Sequence, residues 1–410
     1  MAVLYGNAVV GQSGGPTAAI NATLAGVIKG ALKANKDGVI KTLYGMRNGV
    51  EGFLKEDLID LTEVFSDERK IDTLVQTPAA ALGSCRRKLK DYETDAETYA
   101  KLLEIFKKYD IRYFFYIGGN DSMDTVAKLS RYAANHDYEM KVVGVPKTID
   151  NDLVATDHTP GFGSAAKFVA TTMKEVLRDV SVYKMKAVTI VEIMGRDAGW
   201  LTASAALVKA SGGIGVDLIY LPERAFDPEE FISSIAKIFD DHPAVLVAVS
   251  EGIRLADGKY IGEGKGATDA FGHKSLSGAG KVLEELVKER LGCKVRSMEL
   301  SLTQRCAGHI LSKTDIDESL AVGAGAVSAA LNGKTGVMMT IKRISDSEYK
   351  SEIGCADISN IANEVRAVPS EYINAAGNGI TEKGIEYLKP LIIGEINVEY
   401  EDGLPKHIVL

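Results

Sequence analysis

What most constrains this chain is a junction that recurs along it: a short run rich in β-branched and aromatic residues ends in Gly, Asp, Asn or Arg, and a stretch with helical spacing follows. The runs AVV, RYFFYIGG, MKVVGVP, AVTIVEIMG and AVLVAVSEG all lead into such junctions. Their apolar residues are continuous instead of alternating, which predicts strands buried on both faces, as parallel strands flanked by helices are. The expected class is therefore α/β, and sheets of this kind bind ligands beyond the carboxyl ends of their strands. With 410 residues the chain exceeds the usual size of one domain, so two lobes or one elaborated α/β unit are expected.

Four junctions are rich in residues that carry chemistry, at 11–17, 118–124, 146–152 and 194–199. The first runs through Gly14 and Gly15 into a helix. Free backbone N–H groups and the positive helix end attract phosphate there, although a glycine pair after a strand is equally a tight turn. The second, YIGGNDSMDT, places Gly118 and Gly119 where a ligand can approach the backbone. The side chains that follow either offer oxygens to Mg2+, from Asn120, Asp121 and Asp124, or cap the next helix, as Asp121 or Ser122.

The third junction, VPKTIDNDL, sets Asp150 and Asp152 around Asn151, directly after Lys147 and Thr148. One carboxylate there can take the proton of an attacking hydroxyl while the other orients it or a metal, and Lys147 can neutralise phosphoryl oxygens. An Asx turn accounts for the Asp and Asn residues but not for a lysine leaving a buried strand. The fourth, VEIMGRDAGWL, presents Arg196, either forked onto a phosphate or paired with Asp197. Gly333-Lys334-Thr335 has Ser328 where a phosphate-binding P-loop has its first glycine, and it reads as a turn.

Composition narrows the classes further. Lys and Arg number 48 against 56 Asp and Glu, a net charge of −8, and the cations are scattered with no basic stripe for nucleic acid. An anionic ligand must then be held by a local cationic pocket. No apolar run is long enough to span a bilayer and no basic leader precedes one, so neither a membrane nor a secretory route is expected. Cys85, Cys293, Cys306 and Cys355 show no paired spacing, which favours reduced thiols and a cytoplasmic location. Residues 256–280, dense in Gly and polar side chains, read as a long excursion or hinge, and from about Ser345 short helical patterns alternate with turn signals.

Taken in order, the segments GQSGGPTAAIN, ALGSCR, IGGND, PKTIDND, DHTPGFGSA, EIMGRDAGWL, VSEG and TQR resemble the phosphofructokinase superfamily over roughly residues 9–308. The resemblance implies two Rossmann-like lobes with the active site in the cleft between them. A donor-binding lobe would cover 1–150, completed by about 310–344, a sugar-phosphate-binding lobe 151–309, and a C-terminal extension packed on the core 345–410. It implies phosphoryl transfer to the 1-hydroxyl of fructose 6-phosphate, with Mg2+. It also implies a homodimer or homotetramer, since in bacterial relatives one arginine of the sugar-phosphate pocket comes from a neighbouring subunit.

Carried onto this chain, Asp150 is the base, Asp152 its acidic partner, and Thr148 and Ile149 line the site. Met194 and Gly195 lie against the sugar, Arg196 meets the transition-state charge, Glu251 binds sugar hydroxyls, and Arg296, Thr303 and Arg305 surround the 6-phosphate. Gly14, Gly15, Arg86, Gly118 and Gly119 cradle the donor. The family's ATP enzymes carry glycine where this chain has Asp121 and Lys147. A carboxylate at Asp121 repels the α-phosphate of a nucleotide, and Lys147 adds charge suited to a leaving phosphate, so the resemblance is to the pyrophosphate-dependent branch. Three departures stand out: Asn120 replaces a metal-linked aspartate, leaving the metal to Asn120 with Asp121 or Asp152; Leu302 replaces a histidine; and Ala187 replaces an arginine, with Lys184 and Lys186 nearby.

Overall fold

The computed structural model describes residues 3–210, 214–262, 278–346, 348–361 and 364–410. Most of the Gly-rich stretch expected to be an excursion or hinge lies outside the described residues. Eleven strands form the two main sheets: β1 (Gly6–Gln12), β2 (Ile40–Met46), β3 (Leu58–Asp60), β4 (Ile111–Gly118), β5 (Lys141–Pro146), β6 (Ala187–Ile193), β7 (Leu218–Tyr220), β8 (Ala244–Ser250), β9 (Lys294–Glu299), β10 (Val337–Ser345) and β11 (Lys350–Asp357).

The larger sheet runs β11-β10-β5-β4-β1-β2-β3 and the smaller β7-β8-β6-β9. In the larger one β10, β5, β4, β1 and β2 are mutually parallel, while β11 and β3 are antiparallel edges. The smaller is parallel throughout. The fold is thus α/β with mostly parallel sheets flanked by helices. The continuous apolar runs behave as their composition requires: every residue of β5 and of β8 is buried. The edges β9 and β11 alternate exposed and half-buried side chains along most of their length.

Helix Ile20–Lys36 packs on helix Lys313–Leu331 with backbones nearly touching, because a Cβ at Gly26 would lie 2.1 Å from the Leu320 carbonyl and one at Gly323 2.1 Å from the Thr23 carbonyl. Past Ser345 the chain first adds β11 to the larger sheet, and beyond Asp357 it continues through short helical turns. Helix Glu382–Leu388 then returns to the core of the smaller sheet, where Tyr387 packs 5.3 Å from the Trp200 ring. Among the described residues no helix is long and apolar enough to cross a membrane.

Candidate active site

A cavity of about 730 Å³ opens where strands of both sheets end; its walls come from the residues following β1, β4, β5, β6 and β8, joined by Arg86, Lys88, Arg305 and Val365. After β1, the Ser13 amide donates to Ile117 O at 2.9 Å and the Gly14 amide to Cys85 O at 3.0 Å, while Ser84 Oγ donates to Gly14 O at 2.6 Å. These bonds fasten segment 84–86 onto the glycine loop and bring Arg86 with it. Gly14 has φ of +79°, which favours glycine. A Cβ on Gly15 would lie 3.2 Å from Arg305 Nη1 and 3.9 Å from Arg86 Nη2, and one on Gly14 3.4 Å from Lys147 Nζ. Three cations therefore converge on the loop.

Lys147 is 4% exposed and donates to Gly15 O at 2.5 Å. Burial pulls its pKa down to about 8, against the opposing pull of Asp150 and Asp152. Burial, and then the charge of Arg86, also lowers Arg305 from its ordinary value. Cations crowded and desolvated in this way gain from an incoming polyanion.

After β4, a Cβ at Gly118 would lie 1.9 Å from Ser122 Oγ, so only glycine fits the strand end. Helix Asn120–Asn135 begins at Gly119 with no side-chain cap, so neither Asp121 nor Ser122 serves as one. Asp121 instead pairs with Lys88 at 3.1 Å. Asn120 Nδ2 donates to Glu364 O at 2.9 Å, and its Oδ1 is buried without a hydrogen-bond partner. Among the described residues no group of three or more His, Cys, Asp or Glu could hold a metal ion.

After β5, Asp150 N donates to Thr148 Oγ1 at 3.1 Å. Asn151 is fully buried with φ of +54°, a left-handed turn between two carboxylates that both line the cavity. Burial pushes the Asp150 carboxyl up while Lys147 opposes it; burial and then the charge of Asp150 raise Asp152 to about 7. Two acids so placed share a proton until positive charge arrives. The DHTPGFGSA segment beyond them is structural: Asp315 accepts from Gly161 N at 2.8 Å and Ser164 N at 2.9 Å, fixing the start of helix Phe162–Val180.

After β6, Gly195 has φ of +139°, and a Cβ there would meet Ala198 O at 2.6 Å. Its amide donates to Glu251 Oε1 at 3.3 Å, and the Met194 amide to Gln304 Oε1 at 3.3 Å. Burial raises Glu251 to about 7. Arg196 lines the cavity, and Asp197 pairs with Arg254 at 2.9 Å.

The cavity therefore gathers Gly14, Gly15, Arg86, Gly119, Asn120, Asp121, Lys147, Thr148, Ile149, Asp150, Asp152, Met194, Arg196, Glu251 and Arg305. Gly118 stands at the β4 end and Gly195 beside Glu251. Two expected residues lie elsewhere. Arg296 is exposed on the edge strand β9, in a small recess with Tyr183, Met185 and Lys294. Thr303 is exposed, its hydroxyl bonded to Leu300 O.

Sequence reasoning missed Lys88 and Val365. Lys88 had a signal: in an extended segment alternate side chains share a face, so Arg86 predicts Lys88, while Arg87 turns outward to Thr98. Val365 is distant in sequence and carries none.

The family model described as phosphofructokinase matches residues 7–330. A pyrophosphate–fructose 6-phosphate 1-phosphotransferase of Xanthomonas campestris pv. campestris is 44% identical over 408 residues, covering 99% of this chain and 96% of its own. One of the same name from Methylococcus capsulatus is 43% identical, covering 98% and 96%. The crystal structure of a pyrophosphate-dependent phosphofructokinase from Nitrosospira multiformis is similar with a TM-score of 0.89 at 40% identity, covering 98% and 96%.

Proposed function

Because the chain belongs to the phosphofructokinase family, we propose that it moves a phosphoryl group reversibly between pyrophosphate and the 1-hydroxyl of fructose 6-phosphate, yielding fructose 1,6-bisphosphate and phosphate. The observation that carries the donor side is the convergence of Lys147 and Arg86 on Gly14 and Gly15, joined there by Arg305, which was expected at the 6-phosphate, a cradle for a compact polyanion. Asp121, held toward the same wall by Lys88, keeps a carboxylate where a nucleotide would place its α-phosphate.

In this reading Asp150 accepts the proton of the 1-hydroxyl as the hydroxyl oxygen attacks the nearer phosphorus, and the bond to the departing phosphate breaks in line. Lys147 and Arg196 neutralise the transferring oxygens, Glu251 binds sugar hydroxyls, and the Gly195 amide orients Glu251. Asp152 is the acidic partner of Asp150 in the buried pair, and both carboxylates are ionised in the reacting form.

The residues present fit Mg2+, which takes few protein oxygens and fills its shell with water and phosphate oxygens. Asn120 Oδ1 is a buried acceptor lacking a partner, and Asp152 is an acid raised by burial, whereas Asp121 is engaged by Lys88. Asn120 and Asp152 are thus the residues that would hold it. Bound with pyrophosphate, Mg2+ would supply neutralisation of the donor's charge.

The division into a donor lobe, a sugar-phosphate lobe and a C-terminal extension belongs to the same reading, as does a homodimer. Among the described residues the outer edge of β9 has no paired strand and carries Arg296 and Met298, and exposed Val182, Tyr183 and Met185 precede β6, an apolar face suited to a second copy whose Arg296 would enter the neighbouring site. Four free thiols suit a reducing cytoplasm.

The test is turnover of fructose 6-phosphate by the purified protein with pyrophosphate or ATP as donor. Formation of fructose 1,6-bisphosphate with pyrophosphate, and much slower formation with ATP, is expected. Turnover with ATP and none with pyrophosphate would sink the reading.

A further inference from the structure

The backbone between the two cavity aspartates is held from a distant part of the chain. Asn151 adopts a left-handed conformation that a non-glycine residue keeps only when its surroundings enforce it. Its side chain supplies two anchors: Oδ1 accepts from Thr159 N at 3.0 Å, and Nδ2 donates to the Tyr387 hydroxyl at 3.4 Å. That hydroxyl donates to Asp157 O at 2.7 Å and also accepts from Arg366 Nη2 at 3.3 Å, so its one proton and both lone pairs are used.

Arg366 acts on the other side of the turn. Its amide donates to Asp152 O at 2.8 Å, its carbonyl accepts from Trp200 Nε1 at 2.9 Å, and its guanidinium lies 4.5 Å over the Trp200 ring. The Tyr387 ring is itself clamped: Trp200 and Tyr372 lie 5.3 and 5.5 Å from it, and the Arg343 guanidinium 4.4 Å above it. The hydroxyl therefore has one place to be.

We propose that Tyr387 is a positioning residue for the Asp150 and Asp152 carboxylates, acting through the side chain of Asn151. Removing its hydroxyl frees one of the two anchors on the turn and lets the base drift from the sugar hydroxyl. Misplacement by about 1 Å can cost up to about 10²-fold in rate. Affinity for the sugar phosphate should change little, because Asp157, Asn151 and Tyr387 are absent from the cavity wall. The inference rests on the reading of Asp150 as the base.

The test compares the full-length protein with Tyr387→Phe, Asn151→Gly and the double variant, measuring kcat, KM for fructose 6-phosphate and the thermal midpoint. Asn151→Gly keeps the left-handed backbone accessible while deleting the anchor. Tyr387→Phe should lower kcat about tenfold with KM within about twofold. The double variant should be no slower than Asn151→Gly alone, since the proposal routes the effect of the hydroxyl through the Asn151 side chain and not through Arg366 or Asp157. A kcat within about threefold of the parent, a loss carried by KM, or losses that multiply in the double variant each overturn the proposal. A lower thermal midpoint at unchanged kcat is the signature of a merely structural tyrosine and also overturns it. Should Tyr387→Phe not fold, Asn151→Gly alone must lower kcat at constant KM, and an unchanged kcat there rejects the mechanism. Asp150→Ala separates the two readings: full turnover in that variant removes the base assignment, whatever Tyr387 does.

Discussion

Lys147 lies between the glycine loop and the paired aspartates, and in the proposed reaction its proton would set one limit on the rate. With the Asp150 and Asp152 pair losing its proton near the value of about 7 given for Asp152, and Lys147 losing its own through about 8, kcat/KM for pyrophosphate should rise through the first and fall through the second. Lys147→Met should lower turnover by at least about 10²-fold and remove the alkaline limb, both read from a pH–rate profile. A persisting alkaline limb would assign it to another group. Lys147 and the two aspartates were legible because a lysine leaving a buried strand beside paired acids has few structural explanations. Arg296 was legible as a cation but not as one placed outside the cavity, since sequence does not say which strand ends a sheet. Tyr387 was illegible: a tyrosine in GIEYLKP looks like any helical core residue.

At the scale of elements, the contact of helix Ile20–Lys36 with helix Lys313–Leu331 places the glycine loop, because the first helix continues directly from it. Gly323→Ala gains helix propensity of about 1 kcal/mol, yet its Cβ would stand 2.1 Å from the Thr23 carbonyl, a backbone atom that cannot rotate aside. Overpacking should win, for a net loss of about 1–2 kcal/mol in denaturant unfolding. Equal or greater stability would mean that the helices slide apart at little cost. The central strands were readable from their unbroken apolar runs. The edge strand β11 was not, because KSEIGCAD mixes polar and apolar residues and its pairing with β10 depends on partners far from it in sequence.

Across the whole molecule, a buried ion cluster ties the segment after β5 to the later chain. His158 Nδ1 meets Asp157 at 2.8 Å and Nε2 meets Glu318 at 2.6 Å, while Glu318 also accepts from Tyr349 and Ser351, each at 2.6 Å. Burial favours the neutral ring, but Glu318 and Asp157 outweigh it and raise His158 to about 9. A raised histidine contributes stability that is fully present below its unfolded value of about 6.5 and is lost as pH rises through about 9. Urea unfolding should therefore show stability falling by up to roughly 3 kcal/mol across that window, and His158→Gln should flatten the fall. A parent protein equally stable at both ends would show the ring to be neutral. The same cross-chain bonding has a consequence in time. A nascent chain that has emerged only as far as Ser345 already owns Lys147, Asp150, Arg196 and Arg305, but neither the Arg366 amide nor the Tyr387 hydroxyl. Contacts so distant in sequence close last, so the residues that line the cavity are synthesised before the contacts that hold the turn between Asp150 and Asp152 can form.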